Sequence, residues 1–483
     1  MIRIEKVNSV YIRVTSDPSI EREIQDTFTF KIPNFRFTPA GRAGWNGDIK
    51  LYNRQTKLLY AGLLYSLLEF AKRNDYPVSL KKEDFPVNDI TVEEVNTFLD
   101  TLNIPPHIER REYQVDSIRA AIMSRRRTML SPTASGKSFM IYALYRYFNV
   151  KTLLIVPDTG LVRQMAMDIK DYGYQGDVHM IYQGQDKFSD ARITVSTWQS
   201  IYKESPEWFS QYEAVIVDEV HGAKADKLKG IMEKMTQCDI RIGFTGTLDG
   251  TTLNKLVIEG LFGPVKQVTE SFKLMEEGFL SALAIKAIVL KYPEDVRKSM
   301  AKLKMTYAQE LDYIVTSQKR RKFIASLAQK LEGNTLILFR LVEKHGIPLY
   351  EMIKEQVGDT RPVYLVYGDV DGEIRNDIRG EVENAENAII VASFKTFSTG
   401  INIKRLHNLI LGSPLKARIP LLQSIGRVLR KSNYKEKAIL YDIADDLSWK
   451  SKKNYTLLHL LERVKIYNSE KFSYKLLNVE FKP

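Results

Sequence analysis

Cysteine is nearly absent from the chain: Cys238 is the single one among 483 residues. That excludes a disulfide framework and a thiolate zinc site, and it fits a reducing cytoplasm. Histidine is sparse as well, six scattered residues without an HExxH spacing, so a histidine-based metal centre is not expected. No apolar run reaches the roughly 18 residues that span a bilayer. The opening MIRIEKVNSV lacks the basic-then-apolar order of a secretory leader. No membrane partner is expected from such a sequence, and repeats and low-complexity tracts are lacking too. What is there, 44% hydrophobic and 27% charged residues, is the balance of a folded globular chain. Its length suits about three domains of roughly 100–200 residues.

The formal net charge is +12, and it is unevenly placed. Residues 1–285 carry 36 Lys and Arg against 36 Asp and Glu. Residues 286–325 carry 10 against 4, residues 326–415 carry 10 against 12, and residues 416–483 carry 15 against 7. The whole excess therefore lies beyond residue 285, where a polyanion, most commonly nucleic acid, is the natural partner. Taken alone, the charge is explained equally well by a solubilising basic surface.

Residues 1–90 read as a small α/β unit. The alternation of Ile2, Ile4, Val7, Val10, Ile12 and Val14 predicts a half-buried strand, Ser19–Phe28 a helix, and Leu58–Lys72 the longest apolar helix. Residues 81–106 read as a connector with one short helix. From Glu109 onward short apolar runs alternate with helical periods: Thr128–Leu130, Thr152–Val156, Ile193–Val195, Ala214–Val217 and Ile240–Phe244. The pattern recurs at Thr335–Phe339, Val363–Val366, Ala388–Val391, Asn408–Leu411 and Ala438–Tyr441. Continuous apolar runs bounded by polar helices predict parallel sheets covered on both faces. The expected architecture is α/β: an accessory domain over residues 1–90, open parallel-sheet domains over 91–285 and 286–448, and a basic helical C-terminal extension over 449–483.

The sharpest motif is Ser131-Pro-Thr-Ala-Ser-Gly-Lys-Ser138, placed between an expected strand and an expected helix. Successive backbone N–H groups of Thr133, Ala134, Ser135 and Gly136, with a helix N-terminus behind them, make a concave site for a triphosphate. Lys137 would reach the β and γ oxygens and Ser138 would ligate magnesium. Ser131 stands where such loops usually carry their first glycine. Downstream, Ala214-Val-Ile-Val-Asp-Glu-Val-His221 is an apolar strand ending in two carboxylates. Asp218 suits a magnesium held through water and Glu219 the orientation of an attacking water. A strand-end acid can equally cap a helix, but a phosphate loop in the same α/β unit favours ATP hydrolysis. Gln114 offers donor and acceptor together, which suits an adenine edge. In the second half, Gln423-Ser-Ile-Gly-Arg-Val-Leu-Arg430 spaces two arginines three apart, on one helical face. Such guanidinium forks could reach a γ-phosphate, or form a solvated basic helix.

The ordered set resembles the superfamily 2 helicases. It comprises Arg111, Tyr113 and Gln114, then Ser131–Ser138, Val156–Gln164, Ser196–Gln199, Asp218–His221, Thr245-Gly-Thr247, Leu336–Arg340, Tyr367-Gly368, Phe397–Asn402 and Gln423–Arg430. Within that superfamily it is similar to the phage UvsW-like branch-migration helicases, through Trp45-Asn-Gly-Asp, Glu207-Trp-Phe-Ser210 and Lys273-Leu-Met-Glu-Glu-Gly278. The resemblance implies two tandem RecA-like domains and an ATP-dependent, magnesium-requiring DNA helicase, acting in a host cytoplasm if phage-encoded. It implies nucleotide contacts from Arg111, Tyr113, Gln114, Gly400 and Asn402, arginine fingers at Arg427 and Arg430, and Gln423 beside the γ-phosphate. His221, Thr245 and Thr247 would couple hydrolysis to DNA movement. Pro157, Arg163, Gln164, Thr197, Gln199, Gly368, Ser398 and Thr399 would face a DNA strand, mainly through phosphate.

A part that engages a second strand or a junction is sought in the N-terminal unit, at Arg42 and Trp45 with Lys50 and Arg54. The basic tail, with Lys450, Lys452, Lys453, Arg463, Lys465, Lys471 and Lys475, is the other candidate. Forked, junction and single-stranded DNA are the expected partners of a monomeric motor. An RNA or RNA–DNA hybrid helicase, and an ATP-switched clamp, share the same motor motifs.

Overall fold

The computed structural model describes all residues except 33, 34, 38, 183, 225, 369, 371, 401, 402, 404, 432–436 and 483. Side chains at 37, 223, 224, 226, 253, 372, 373, 375, 376 and 398–400 also lie outside the description. The chain forms two compact units, Met1–Thr269 and Glu270–Pro483. Among the described residues no helix is long and apolar enough to cross a membrane.

The first unit opens with a hairpin rather than one strand. The alternating stretch breaks at residues 7–10 into β1 (Ile2–Lys6) and β2 (Tyr11–Thr15), because the Asn8 side chain accepts the Val10 and Tyr11 amides and turns the chain. A small hairpin comes next, β3 (Thr29–Lys31) with β4 (Asp48–Lys50). The expected helix over Leu58–Lys72 begins with strand β5 (Leu58–Tyr60) and turns helical over Leu64–Arg73. With β6 (Val78–Leu80) these make a four-stranded sheet in the order β5-β2-β1-β6.

This small domain shares its core with the rest of the first unit. Ile4, Ile12 and Leu63 pack in one apolar cluster with Val215, Ile231 and Ile258. Polar ties reinforce the junction: Lys6 and Ser9 reach Asp239, and the Tyr60 hydroxyl donates to Glu233 at 2.6 Å. Gly62 permits the closest approach, since a Cβ there would lie 2.0 Å from the Glu259 carbonyl oxygen.

The remainder of the first unit is a seven-stranded, all-parallel sheet. Its strands are β7 (Arg126–Leu130), β8 (Thr152–Val156), β9 (Val178–Ile181), β10 (Ile193–Thr197), β11 (Ala214–Asp218), β12 (Ile240–Thr245) and β13 (Val265–Gln267), in the order β13-β7-β12-β11-β8-β10-β9. The strands β8 and β11 are apolar over nearly their whole length because helices cover both faces, as the unbroken runs LLIV and AVIV anticipate.

The second unit repeats the plan. Its strands are β14 (Ala282–Lys291), β15 (Thr335–Phe339), β16 (Val363–Val366), β17 (Ile389–Ser393), β18 (Asn408–Leu411), β19 (Lys437–Asp446) and β20 (Tyr474–Glu480). They form a parallel sheet in the order β16-β17-β15-β18-β19-β14-β20. The tandem RecA-like expectation is borne out. The C-terminal stretch holds the expected helix, Tyr455–Ser469, and then returns as β20, an edge strand of the same sheet.

Candidate functional site

In the first unit the strands run parallel, so their carboxyl ends share one edge, where such sheets hold their ligands. The Ser131–Ser138 loop leaves β7 there and turns into the helix Lys137–Phe148. Ala134 (φ 64°) and Gly136 (φ 81°) are left-handed. A Cβ on Gly136 would lie 2.2 Å from the Gln114 Nε2, so that position needs glycine on both counts. Gln114 is buried and lies against the loop. Its Nε2 donates to the Ser135 carbonyl at 2.9 Å, and its Oε1 accepts the Arg111 amide at 3.0 Å. One amide hydrogen and one lone pair of Gln114 remain for a further partner. Arg111 donates to the Ala134 carbonyl at 3.0 Å and to the Tyr113 hydroxyl at 2.6 Å. Ser131 has a function where a glycine is usual: its buried hydroxyl bonds that of Ser135, which also donates to the Pro132 carbonyl at 2.7 Å. The loop is therefore pinned before any ligand arrives. Thr133, between these ties, stays half-exposed.

Opposite Lys137 stand the two carboxylates of β11. The Lys137 Nζ lies 3.2 Å from Glu219 Oε1 and 3.7 Å from Asp218 Oδ1. Glu219 has a left-handed φ of 57°, unusual for its residue type, and its amide donates to Asp218 Oδ1 at 2.9 Å. Burial raises the Asp218 carboxyl pKa more than Lys137 lowers it. Burial acts on Glu219 the same way, but Lys137 and His221 overcome it and hold that carboxyl below the usual range. His221 Nδ1 lies 3.0 Å from Glu219 Oε2 and 3.0 Å from the Thr245 hydroxyl. The single Thr245 hydrogen is shared between Glu219 Oε2 at 3.3 Å and the Thr247 carbonyl at 2.9 Å. Lys137, Asp218, Glu219, His221, Thr245 and Thr247 thus form one connected polar cluster.

Among the described residues no three His, Cys, Asp or Glu side chains gather as a metal cage. A hard cation that keeps several waters needs only a carboxylate and the oxygens of a phosphate, and Asp218 provides the first. The Ser138 hydroxyl favours the charged forms of Asp168 and Tyr172, partly offsetting the burial that raises both pKa values. Ligation by Ser138 would compete with that interaction.

The strand-facing candidates of this unit lie along the same edge. Pro157 succeeds β8, and its carbonyl accepts from Gln199 at 3.3 Å. Thr197 ends β10, where its buried hydroxyl caps the next helix by accepting the Ser200 amide. Arg163 is exposed over the Tyr182 ring, and Gln164 is exposed but bonded to Asp168. In the small domain Arg42 is exposed, and the Trp45 ring meets Phe35 edge-on at 6.4 Å. Lys31 and Arg36 also sit over Phe35, at 5.3 and 5.9 Å. The result is a basic, aromatic patch, and sequence inspection missed Phe35 at its centre.

In the second unit Gly368 is exposed beyond the end of β16. The side chains of Ser398, Thr399 and Gly400, and all of Asn402, fall outside the described residues. Gln423 and Arg427 lie on the helix Arg418–Val428, with Arg427 over the Phe397 ring at 5.4 Å. Arg430 does not share a face of that helix as its spacing suggested. It lies past the helix end, in a bridge with Leu280. Burial, then the nearby Arg427 and Arg379, bring its pKa down to about 10.

The basic tail needs a sharper correction. Arg463 is buried and makes a two-pronged ion pair with Asp442, at 2.7 and 2.8 Å, so it cannot reach DNA phosphate. Lys465 and Lys471 are paired with Glu462 and Glu270, while Lys450, Lys452 and Lys453 stay exposed. Arg463 also donates to the Leu415 carbonyl, and buried Arg320, paired with Asp445, donates to the Gly412 carbonyl at 2.7 Å. Two buried arginines therefore hold the segment that launches the Gln423–Arg427 helix. Their signal in the sequence is Asp442 and Asp445 within an otherwise apolar strand, which demand buried partners.

Comparison with known proteins places this geometry. Residues 2–81 match the family model described as DNA helicase UvsW, N-terminal, and residues 107–250 that of the type III restriction enzyme res subunit. The chain is 34% identical to the ATP-dependent DNA helicase uvsW of Enterobacteria phage T4, over 97% of each chain. It is 25% identical to the DNA 3'-5' translocase XPB2 of Sulfurisphaera tokodaii, covering 78% of this chain and 90% of that one. The crystal structure of T4 UvsW superposes with a TM-score of 0.51 at 32% identity over 99% of both chains. A DNA-bound type ISP restriction-modification enzyme shares the fold, with a TM-score of 0.56 at 14% identity, over 78% of this chain and 31% of that one.

Proposed function

The chain belongs to the UvsW family of superfamily 2 helicases, and from that membership we propose how its residues run an ATP-dependent DNA helicase. The observation that carries the proposal is Lys137 held between the phosphate loop and the Asp218–Glu219 pair. Phosphate oxygens compete with these carboxylates for the same ammonium. As Lys137 turns to phosphate, Glu219 loses its strongest neighbouring cation and its proton affinity rises, which suits it to accept a proton from the attacking water. His221 stays on the other Glu219 oxygen and fixes its orientation. Asp218, with Ser138 where its hydroxyl is freed, would hold magnesium, which neutralises charge developing on the transferred phosphoryl group.

Arg427 and Arg430 would neutralise the γ-phosphate, with Gln423 beside it. Close spacing of two cations that repel each other is an arrangement that an anion relieves. Thr245 and Thr247 relay the loss of that phosphate from Glu219 to the strand-facing edge. Cycles of ATP binding and hydrolysis then move the protein along one strand, in the host cytoplasm. Arg111, Tyr113 and the free half of the Gln114 amide face the base of ATP, and Gly400 and Asn402 are further nucleotide contacts. Pro157, Arg163, Gln164, Thr197, Gln199, Gly368, Ser398 and Thr399 track the strand. The Phe35–Trp45 patch with Arg42 engages the second strand of a fork or junction, which makes such structures the preferred substrates.

One panel tests the proposal: ATPase stimulation by single strands, forks, four-way junctions and RNA, with strand release from forks and junctions, for the wild type and Lys137→Ala. DNA-stimulated hydrolysis and product release, both lost in Lys137→Ala, are expected. Hydrolysis with no product from any fork or junction would overturn it in favour of a clamp, and stimulation by RNA alone in favour of an RNA motor.

A further inference from the structure

Arg125, Arg126 and Arg127 stand in a row where the helix Glu112–Ser124 turns into β7. This is the amino edge of the first unit's sheet, opposite the edge that carries Lys137. The three arginines line a cavity of about 710 Å³, within the range of small-ligand sites. None of them makes an ion pair among the described residues. Arg126 donates once, to the Ser9 carbonyl, while the Arg125 Nε, the Arg126 Nη1 and the Arg127 Nε are buried without partners.

The carboxylates nearby are already committed. Asp239 pairs with Lys6 at 3.0 Å and Asp116 with Lys266 at 2.6 Å, which leaves Asp84, among the described residues, as the lining acid without an ion pair. Burial, and then the nearby Arg241, push the Arg126 pKa down to about 9, outweighing the opposite pull of Asp239. The rest of the lining has a different character. Leu64, Leu68 and Phe85 contribute apolar wall, and Tyr65 leaves 59% of its surface exposed beside them. An anion alone would satisfy the arginines and leave this wall bare. A ligand with a phosphate at one end and a flat, largely apolar body at the other satisfies both.

We propose that this cavity binds a nucleotide unit, with Arg125 and Arg127 taking its phosphate in guanidinium forks and Tyr65 and Phe85 receiving its base. Paired duplex DNA keeps its bases stacked inside and offers only phosphate. The unit is therefore either a free nucleotide or an unpaired nucleotide at a strand end. Lys137 takes no part in the site, so the inference stands apart from the motor chemistry.

The test is calorimetry on the full chain with the Lys137 site saturated by a non-hydrolysable ATP analogue. The probes are thymidine 5'-monophosphate, thymidine, and a 5'-phosphorylated thymidine trinucleotide. One thymidine monophosphate should bind per chain, and thymidine at least tenfold more weakly. Arg125→Gly with Arg127→Gln should weaken the monophosphate at least tenfold; glycine suits the left-handed φ of 53° at position 125. Tyr65→Ala, a truncation at an exposed side chain, should weaken it severalfold even if the arginine variant folds poorly. A trinucleotide that binds over tenfold tighter than the monophosphate, and loses that advantage in the variants, assigns the site to strand ends; equal affinity assigns it to free nucleotide. Absence of monophosphate binding, or binding unchanged in both variants, would overturn the proposal.

Discussion

Arg463→Met separates a structural arginine from a DNA-binding one. Arg463 and Asp442 are both buried, their forks align at 2.7 and 2.8 Å, and the Tyr467 hydroxyl donates to the same carboxylate at 2.8 Å. Removing one partner of a buried pair strands the other charge, at a cost of about 3–5 kcal/mol. For a unit of this size each kcal/mol lowers the melting temperature by about 2–4 °C. The transition of the second unit should therefore fall by roughly 6–20 °C, measured by circular dichroism or calorimetry on the full chain. Adding Asp442→Leu removes the orphaned charge and should restore much of the loss. DNA affinity should keep its salt dependence, since no phosphate contact is lost. A slope of log K against log salt shallower by about 0.9, with melting unchanged, would show that Arg463 touches DNA and refute the burial argument.

Glu219→Gln keeps the shape but not the basicity of the group beside Lys137. It should lower kcat for ATP by about 10²–10⁴-fold while nucleotide affinity holds; equal loss of affinity would show a binding role instead. Trp45→Ala should weaken fork binding by about 1–3 kcal/mol in fluorescence anisotropy without changing ATPase on single strands, and unchanged fork affinity would remove the patch from the DNA path. His345 is buried, and burial, then Arg320 and Arg321, bring its pKa from 6.5 to about 3. The unfolded chain therefore binds a proton that the folded chain refuses. Its contribution is complete above pH 6.5 and fades as pH falls toward 3. Between pH 7 and pH 5 the wild type should lose about 2 kcal/mol more in urea titrations than His345→Asn; parallel losses would contradict the burial assignment.

The sheet strands were legible wherever burial is complete on both faces, because a doubly covered strand must be apolar throughout. LLIV of β8, AVIV of β11 and TLILF of β15 announce themselves. Among the edge strands β16 was legible as Val363–Val366, whereas β9, β13 and β20 escaped, as did the interior β14. β9 (VHMI) is half-buried and β20 (YKLLNVE) is mostly exposed, so neither carries a periodic signal. The nucleotide cluster was legible because loop, strand-end acids and threonines are each fixed by local backbone: a turn, a strand end, a turn. The arginines at 320 and 463 were not, because their partners at 445 and 442 arrive through strand register and helix packing more than twenty residues away or across the sheet. A charged side chain in a polar-looking helix gives no local sign that it points inward. The role of Ser131 was not legible either: it stands where such loops usually carry glycine, and its hydroxyl is one of the ties that hold the loop closed.

The two parallel sheets use polar groups differently, and the difference reflects what each edge must do. In the first unit the cluster at the carboxyl edge is left under tension. Glu219 keeps a left-handed backbone that costs of order 1–3 kcal/mol, and one ammonium serves two carboxylates whose proton affinities burial tends to raise. A phosphate that takes the ammonium deprives both carboxylates of their shared cation, so binding raises their proton affinity and leaves the Glu219 backbone strained. In the second unit two buried arginines are each paired with a buried aspartate, although the Arg320 Nη2 has no hydrogen-bond partner among the described residues. Arg320 with Asp445 and Arg463 with Asp442 satisfy each other, and their spare donors fix two carbonyls of one loop. One ammonium shared by two carboxylates can change partners readily, whereas the paired arginines hold the segment before the Arg418–Val428 helix firmly. Labile pairing around Lys137 and rigid pairing ahead of the Arg427 helix are therefore the physical difference between the two carboxyl edges.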